Sequence, residues 1–475
     1  MLSDIRNYIR KMTAERKAIS FSLVMAGILL PLIFLSWAFS THNAVDNTLD
    51  YSPTRFLFLA IGATSLLVLI AASIDLIMKA RRKDKKYDFP SIYTSIICLA
   101  SILMTVVIAS YVVMPQLLRS GDTPPQLIIT ESDSGFPGLA VVFNTDDPTI
   151  NTIEYRAMGG ESRTLKEDRA VNQHWFQLSG LEPDKSYEYS INGADPVGFK
   201  TPPASRFTFA ASGDPHFGAE LSRSDLTRKM VKGIKDSNSS MLFVLGDTAQ
   251  YGFSDRMWKE AFDSISPTSS TMPTEYVIGN HDAMFGGAGL YEDYLCPPGL
   301  MDPEKNCLTK RIDNGNVQFL ILDVEWELQS YTPEQKKWLA EQLSSIPKED
   351  WCIVMSHTFY YSSGSEQYGW DWYDNNSTIR ELTPLFENNS VDLVLSGHKH
   401  HTELLEKNNV TYVVVGSFGG PPDAERTYVS PASIWYKQGA YDFASVTIEN
   451  QTIATIRFID SNQTELFRWQ IRNRD

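Results

Sequence analysis

Val391-Asp392-Leu393-Val394-Leu395-Ser396-Gly397-His398-Lys399-His400 decides how the chain is read. Its first half is apolar and rich in β-branched residues, and it breaks at a glycine, which predicts a buried strand running into a tight turn. On extended backbone, side chains two apart share a face, so His398 and His400 can converge on one ion. Two surface-loop histidines would give the same text, and Gly-His-x-His alone does not choose between the readings.

The choice comes from four further runs of the same form. Residues 207–211 lead into Gly213-Asp214-Pro215-His216, and 241–245 into Gly246-Asp247. Residues 276–278 lead into Gly279-Asn280-His281-Asp282, and 352–355 into Ser356-His357. Five expected strands thus end in Asp, Asn or His, at the edge where α/β sheets hold their ligands. Six of the eight histidines lie at or beside those ends: His216, His281, His357, His398, His400 and His401. Helices are expected between the strands, over 223–235, 255–265 and 378–387, and from Thr332-Pro333-Glu334 through Leu343. The result is a βα-layered core with further strands toward the carboxyl end. Mixed Asp, Asn and His donors suit Fe, Mn or Zn, and four unclustered cysteines argue against a structural zinc finger.

A chain of 475 residues, 43% hydrophobic, has room for about three domains. Of the net charge of −15, residues 1–119 hold +6 (13 Lys/Arg against 7 Asp/Glu), which leaves −21 for 120–475. No basic patch there supports a nucleic-acid partner. Apolar runs at 18–39, 56–78 and 91–114 are each long enough to cross about 30 Å of hydrocarbon and read as three transmembrane helices. Core helices would alternate with amphipathic ones, and a signal peptide would be shorter and stand alone. Asp75, near the end of the second run, is expected at the interface beside Lys79.

Basic flanks orient these runs. Arg6, Arg10, Lys11, Arg16 and Lys17 precede the first, and Lys79, Arg81, Arg82, Lys83, Lys85 and Lys86 follow the second. The expectation is therefore a multi-pass cell-membrane protein with residues 1–119 as a three-helix anchor in the lipid bilayer, the amino terminus cytoplasmic, and 120–475 extracytoplasmic. Cys98 and Cys352 read as core thiols. Cys296 and Cys307 flank a loop with Pro and Gly, and in such a compartment they can pair. Asn-x-Ser/Thr triplets at Asn238, Asn375, Asn376, Asn388, Asn409, Asn450 and Asn462 are compatible with that placement.

Residues 120–203 alternate short β-rich runs, at 127–130, 139–143, 152–157, 175–178, 187–191 and 197–200, with Gly, Asp and Pro clusters. That spacing predicts an antiparallel sandwich of about 80 residues. Leu181-Glu182-Pro183-Asp184-Lys185-Ser186-Tyr187 resembles the tyrosine-containing turn of fibronectin type III domains, and nothing in this stretch carries chemistry.

In residues 204–475 the ordered motifs Asp-x-His, Gly-Asp, Gly-Asn-His-Asp, His and Gly-His-x-His resemble the calcineurin-like metallophosphoesterase superfamily. Within it, the preceding sandwich, His357-Thr358-Phe359-Tyr360-Tyr361-Ser362-Ser363, Arg380 and residues 391–398 resemble the purple acid phosphatases. The resemblance covers about 125–460 and leaves out the apolar runs. It implies a four-layer αββα domain holding two divalent or trivalent ions. Asp214, His216 and His400 would hold one, Asn280, His357 and His398 the other, with Asp247 bridging. His281 is implied as the proton donor to the leaving oxygen, oriented by Asp282.

The chain departs from the purple pattern. Gln250 stands where those enzymes place a tyrosine ligand, Tyr251 follows one residue later, and His216 is a histidine they usually lack. His216 is read as the tyrosinate's replacement, which puts purple colour, the ferric requirement and an acidic optimum in doubt. Tyr368-Gly369-Trp370-Asp371-Trp372-Tyr373 reads either as a stacking surface for an aryl or nucleoside group or as packing against the sandwich. His401 reads as rim filling, His42 and His174 as surface or loop residues. The expected function is hydrolysis of small extracytoplasmic phosphomonoesters. The alternatives are a phosphodiesterase or a nucleotide or lipid pyrophosphatase on the same core, and a non-catalytic receptor.

Overall fold

A computed structural model of the chain describes residues 61–68, 70, 74, 121–131, 135–297, 307–367 and 370–473. It divides into two units, Met1–Leu117 and Leu118–Asp475. In the first unit the longest described helical stretch is 61–68. Among the described residues no helix is long and apolar enough to cross a membrane. The three-span reading is corrected on that finding: the transmembrane anchor, the bilayer as partner, and the multi-pass cell-membrane localisation with its extracytoplasmic domain do not stand. Runs 18–39 and 91–114, and most of 56–78 with Asp75, lie outside the described residues, as do His42 and Cys98.

The second unit begins with seven strands: β1 (Gln126–Thr130), β2 (Gly138–Thr149), β3 (Thr152–Ala157), β4 (Arg163–Lys166), β5 (Val171–Leu178), β6 (Ser186–Ile191) and β7 (Val197–Lys200). Four of them form a sheet ordered β4-β3-β6-β7, and β1, β2 and β5 pair antiparallel. Alternation puts Leu127, Ile129, Leu139 and Val141 of one group in a single core with Ile153, Tyr155, Tyr187 and Tyr189 of the other. His174, expected at the surface, is fully buried on β5, where Nδ1 lies 2.8 Å from Glu167 and the ring stacks on Phe143 at 4.5 Å.

Three parallel strands follow, β8 (Phe207–Ser212), β9 (Met241–Leu245) and β10 (Thr274–Val277), linked by helices α1 (Ser224–Asp236) and α2 (Asp255–Ser269). Helices α3 (Asn280–Ala283) and α4 (Gly287–Leu295) come next, and a Cys296–Cys307 disulfide ties the end of α4 to the chain before β11 (Lys310–Asn314). Then come β12 (Val317–Ile321), α5 (Pro333–Ser345), β13 (Trp351–Ser356), the hairpin β14 (Ser365–Gln367) and β15 (Trp370–Trp372), and α6 (Asn376–Asn388). The rest is β16 (Leu393–Ser396), β17 (Thr402–Lys407), β18 (Val410–Val415), β19 (Ser433–Lys437), β20 (Asp442–Ile448), β21 (Ile453–Asp460) and β22 (Glu465–Arg472).

Two large sheets result, ordered β22-β21-β20-β8-β9-β10-β1-β2-β5 and β11-β12-β13-β16-β18-β17-β19. The first absorbs part of the amino-terminal sandwich, because β1 pairs in parallel with β10, Ile128 opposite Thr274. Strands β9 and β13 are buried at every position, as parallel strands covered on both faces are. Between the sheets Phe319 meets Phe209 at 5.3 Å and Phe243 at 4.9 Å. Helices cover the outer faces: Phe262 of α2 packs on Tyr276, while Leu339 and Leu343 of α5 and Leu382 and Phe386 of α6 share a core with Leu320 and Val354. α5 starts where its sequence says, with Thr332 Oγ1 accepting from Gln335 N–H and Gln335 Oε1 accepting from Thr332 N–H.

Candidate metal centre

The carboxyl ends of β8, β9, β13 and β16, together with the start of α3, meet at one edge of the sheet pair, and each turn there leaves regular backbone. Asp214, His216, Asp247 and His398 all have positive φ, at 62°, 47°, 51° and 67°. Non-glycine residues pay for that conformation, and such strain gathers where surrounding structure over-determines a side chain's aim. Neighbouring glycines make room. Gly246 takes φ 87°, and any β-carbon there would run into the His357 ring; at Gly397 one would sit 2.5 Å from Asp214 Oδ2.

All seven expected ligands fall into one connected, buried cluster. Asp214, His216 and His400 form one compact donor set and Asp247, His357 and His398 another, each with its atoms within 4.8 Å of one another. Asp247 lies between them, Oδ1 3.3 Å from His357 Nε2 and Oδ2 3.5 Å from His216 Nε2. Asn280 Oδ1 joins the second set, 3.0 Å from His357 Nε2.

The rings are locked by their outward nitrogens. Nδ1 of His216 faces Gln250 Oε1 at 2.7 Å, that of His357 faces Leu245 O at 2.8 Å, and that of His400 faces Pro421 O at 2.6 Å. Oxygen acceptors there require N–H on Nδ1, so in the neutral ring the lone pair is on the inward Nε2, the tautomer a metal ligand needs. His216 Nε2 and His400 Nε2 consequently face each other at 3.0 Å, and His398 Nδ1 faces His357 Nε2 at 2.9 Å. Asp214 Oδ1 is buried without a hydrogen-bond partner among the described residues, 3.4 Å from His400 Nε2.

Electrostatics makes the same demand for positive charge. Burial works against charging His357 and His400, yet Asp247 and Asp214 lift His357 to about 10, and the Asp214 carboxylate lifts His400 to about 9. Burial pushes Asp247 up, but the imidazoles around it hold it well below the usual carboxylate range. A donor set with an orphaned carboxylate oxygen and facing imidazole lone pairs fits divalent or trivalent cations, and the absence of thiolate leaves O/N-binding metals.

His281, on α3, points Nε2 toward Asp247 Oδ2 at 4.0 Å, and burial holds its ring near 3, neutral at ordinary pH. Asp282 sits elsewhere than expected. Its carboxylate accepts the N–H groups of Thr248, Ala249 and Gly279, clamping the β9 and β10 turns together, while His281 Nδ1 is held by Gln250 O at 3.0 Å. Burial, with Asp247 nearby, pushes Asp282 up to about 8. Tyr251 stacks on Phe253, and Arg380 is an exposed α6 residue paired with Glu381.

His401, expected at the rim, is buried between Asp423 at 3.1 Å and Glu403 at 3.4 Å. Lys399 is buried with it; its ammonium donates to Trp372 O and lies 3.3 Å from Asp423. Trp326 and Asp423 were missed from sequence. Trp326 and Trp372 stack at 5.7 Å and each meets the His398 ring at 5.0 Å, so one residue of the aromatic loop packs beside a ligand; Tyr368 and Gly369 lie outside the described residues. Trp326 does follow a predictable strand end, and Asp423 does follow the turn Gly419-Gly420-Pro421-Pro422.

Residues 207–402 match the family described as Calcineurin-like phosphoesterase. Purple acid phosphatase 18 of Arabidopsis thaliana is 22% identical over 370 residues, spanning 72% of this chain and 82% of that protein. A purple acid phosphatase of Glycine max is 24% identical over 336 residues, 63% of this chain and 70% of that one. The purple acid phosphatase PPD1 from yellow lupin (Lupinus luteus) seeds superposes with a TM-score of 0.59 at 17% identity, covering 74% of each chain, which shows a shared fold.

Proposed function

We propose that this chain, a metal-dependent phosphoester hydrolase with a calcineurin-like phosphoesterase domain and two metal ions, is a phosphomonoesterase. The observation that carries the reading is the pair of donor sets sharing the Asp247 carboxylate, at the edge where five strand ends and helix starts converge. Asp214, His216 and His400 would hold one ion and Asn280, His357 and His398 the other. Bound ions in such a pair supply a nucleophile from water at neutral pH and neutralise charge on the phosphoryl oxygens.

The chain's own residues do the rest. Gln250 O fixes the His281 ring, so Nε2 faces the shared carboxylate rather than solvent. Burial keeps that imidazole neutral until a phosphate brings negative charge beside it; the proton then acquired at Nε2 is the one to pass to the leaving oxygen. Asp282 holds the turns carrying Asp247 and His281 in register by accepting three backbone N–H hydrogen bonds. The monoester preference rests on the phosphatase names of the relatives.

The test compares kcat/KM for 4-nitrophenyl phosphate and bis(4-nitrophenyl) phosphate. The monoester should be the better substrate, and a strong diester preference would overturn the assignment. A His398→Ala, His400→Ala double variant that hydrolyses either ester at the wild-type rate would remove the two-ion reading.

A further inference from the structure

We infer that Gln250 is a positioning residue that sets the tautomer of His216 through its side chain and the aim of His281 through its backbone. This rests on the two-ion reading above and adds to it a residue that touches neither ion nor substrate. Gln250 is fully buried, its Oε1 2.7 Å from His216 Nδ1 and its carbonyl oxygen 3.0 Å from His281 Nδ1.

The loop holding it is stiff. His216 N–H donates to Asp247 O, Phe217 N–H to Thr248 O, and Gln250 N–H to Phe217 O, at 3.0, 2.9 and 2.9 Å. These bonds zip the β8 and β9 turns together, so the amide cannot drift away from the imidazole. An amide can offer His216 either its oxygen or its nitrogen, with opposite consequences. Oxygen at Nδ1 requires a proton there and leaves the Nε2 lone pair facing Asp247, His400 and Asp214; nitrogen would reverse this and put N–H where a cation is wanted. Gln250 Nε2 is buried with no hydrogen-bond partner among the described residues, a costly arrangement that leaves the Oε1 contact as what the side chain contributes.

The experiment uses the full chain as wild type, Gln250→Leu, which keeps the size and loses the acceptor, and Gln250→Glu, which keeps an oxygen acceptor. Zn2+ binding is titrated calorimetrically. Histidine tautomers in the metal-stripped proteins are read by 15N long-range NMR. In Gln250→Leu, His216 should lose its fixed Nδ1–H form while His281 keeps its own, because the backbone carbonyl survives. Affinity at one of the two sites should fall roughly 10–100-fold. Gln250→Glu should restore both. An unchanged His216 tautomer with wild-type Zn2+ affinity in Gln250→Leu overturns the inference, as does loss of both histidines' tautomers together, which would mark a collapsed loop. Should Gln250→Leu fail to fold, Gln250→Asn, which withdraws the same amide by one methylene, is held to the same two outcomes. Failure of the phosphomonoesterase reading shows separately, as wild-type protein that binds Zn2+ without hydrolysing the monoester.

Discussion

Asp247 and His281 are neighbours in the site, but their substitutions should separate cleanly. The two Asp247 oxygens address different donor sets, and its Oδ1 also accepts the His281 N–H at 2.9 Å. Asp247→Asn replaces one of those oxygens with a donor and removes the negative charge both sets share. Bound metal measured by plasma mass spectrometry should therefore fall toward background, with turnover lost in parallel. His281→Gln leaves all seven proposed ligands in place. It should keep wild-type metal content while kcat falls roughly 10²–10⁴-fold, the range for removing a general acid. Equal metal loss in both variants would make His281 part of the ion-holding set.

Among the elements, α6 gives the simplest local test. Its N-cap Asn375 is buried, and Oδ1 accepts from the N–H groups of Ser377 and Thr378. Asn375→Ala should cost about 1 kcal/mol in urea unfolding with activity intact, the usual loss for a missing cap. That burial also takes Asn375 out of the exposed set of Asn-x-Ser/Thr triplets. Elements of this kind were legible in the sequence: the Thr-Pro-Glu start of α5, β3, β7 and β9 to the residue, and the strand ends bearing His and Asp all follow from local pattern. Partnerships formed across the fold were not. No signal in residues 126–130 announces that β1 will extend the sheet of β10, because pairing register is set by a core assembled from distant segments. Gln250 was legible as a departure from the purple pattern but not as a partner of His216, and Lys399 reads as an ordinary polar residue until the turns around it close. The apolar amino-terminal runs fit a membrane template by length and composition alone, and that pattern misled.

In the second unit the two large sheets share one core, and an ionisable group joins them where they meet. Asp442 opens β20 in the nine-stranded sheet, and its Oδ1 accepts from Thr402 Oγ1 of β17 in the seven-stranded sheet at 2.5 Å. The residue is fully buried, and Oδ2 has no hydrogen-bond partner among the described residues. Burial, only partly offset by the Thr402 hydroxyl, pushes this carboxyl from 3.8 to about 7. Because the folded state holds the proton more tightly than the unfolded chain, the contribution to stability is intact below about pH 4. It is lost as pH rises through the folded value, each unit within that window removing up to about 1.4 kcal/mol. Asp442→Asn keeps the Thr402 contact and cannot ionise. Its unfolding free energy in urea should match wild type near pH 4 and exceed it by on the order of 4 kcal/mol at pH 8. A gap between the two proteins that stays constant from pH 4 to pH 8 would mean that the Asp442 carboxyl does not hold its proton more tightly in the folded protein, and that its burial at the junction carries no pH-dependent cost.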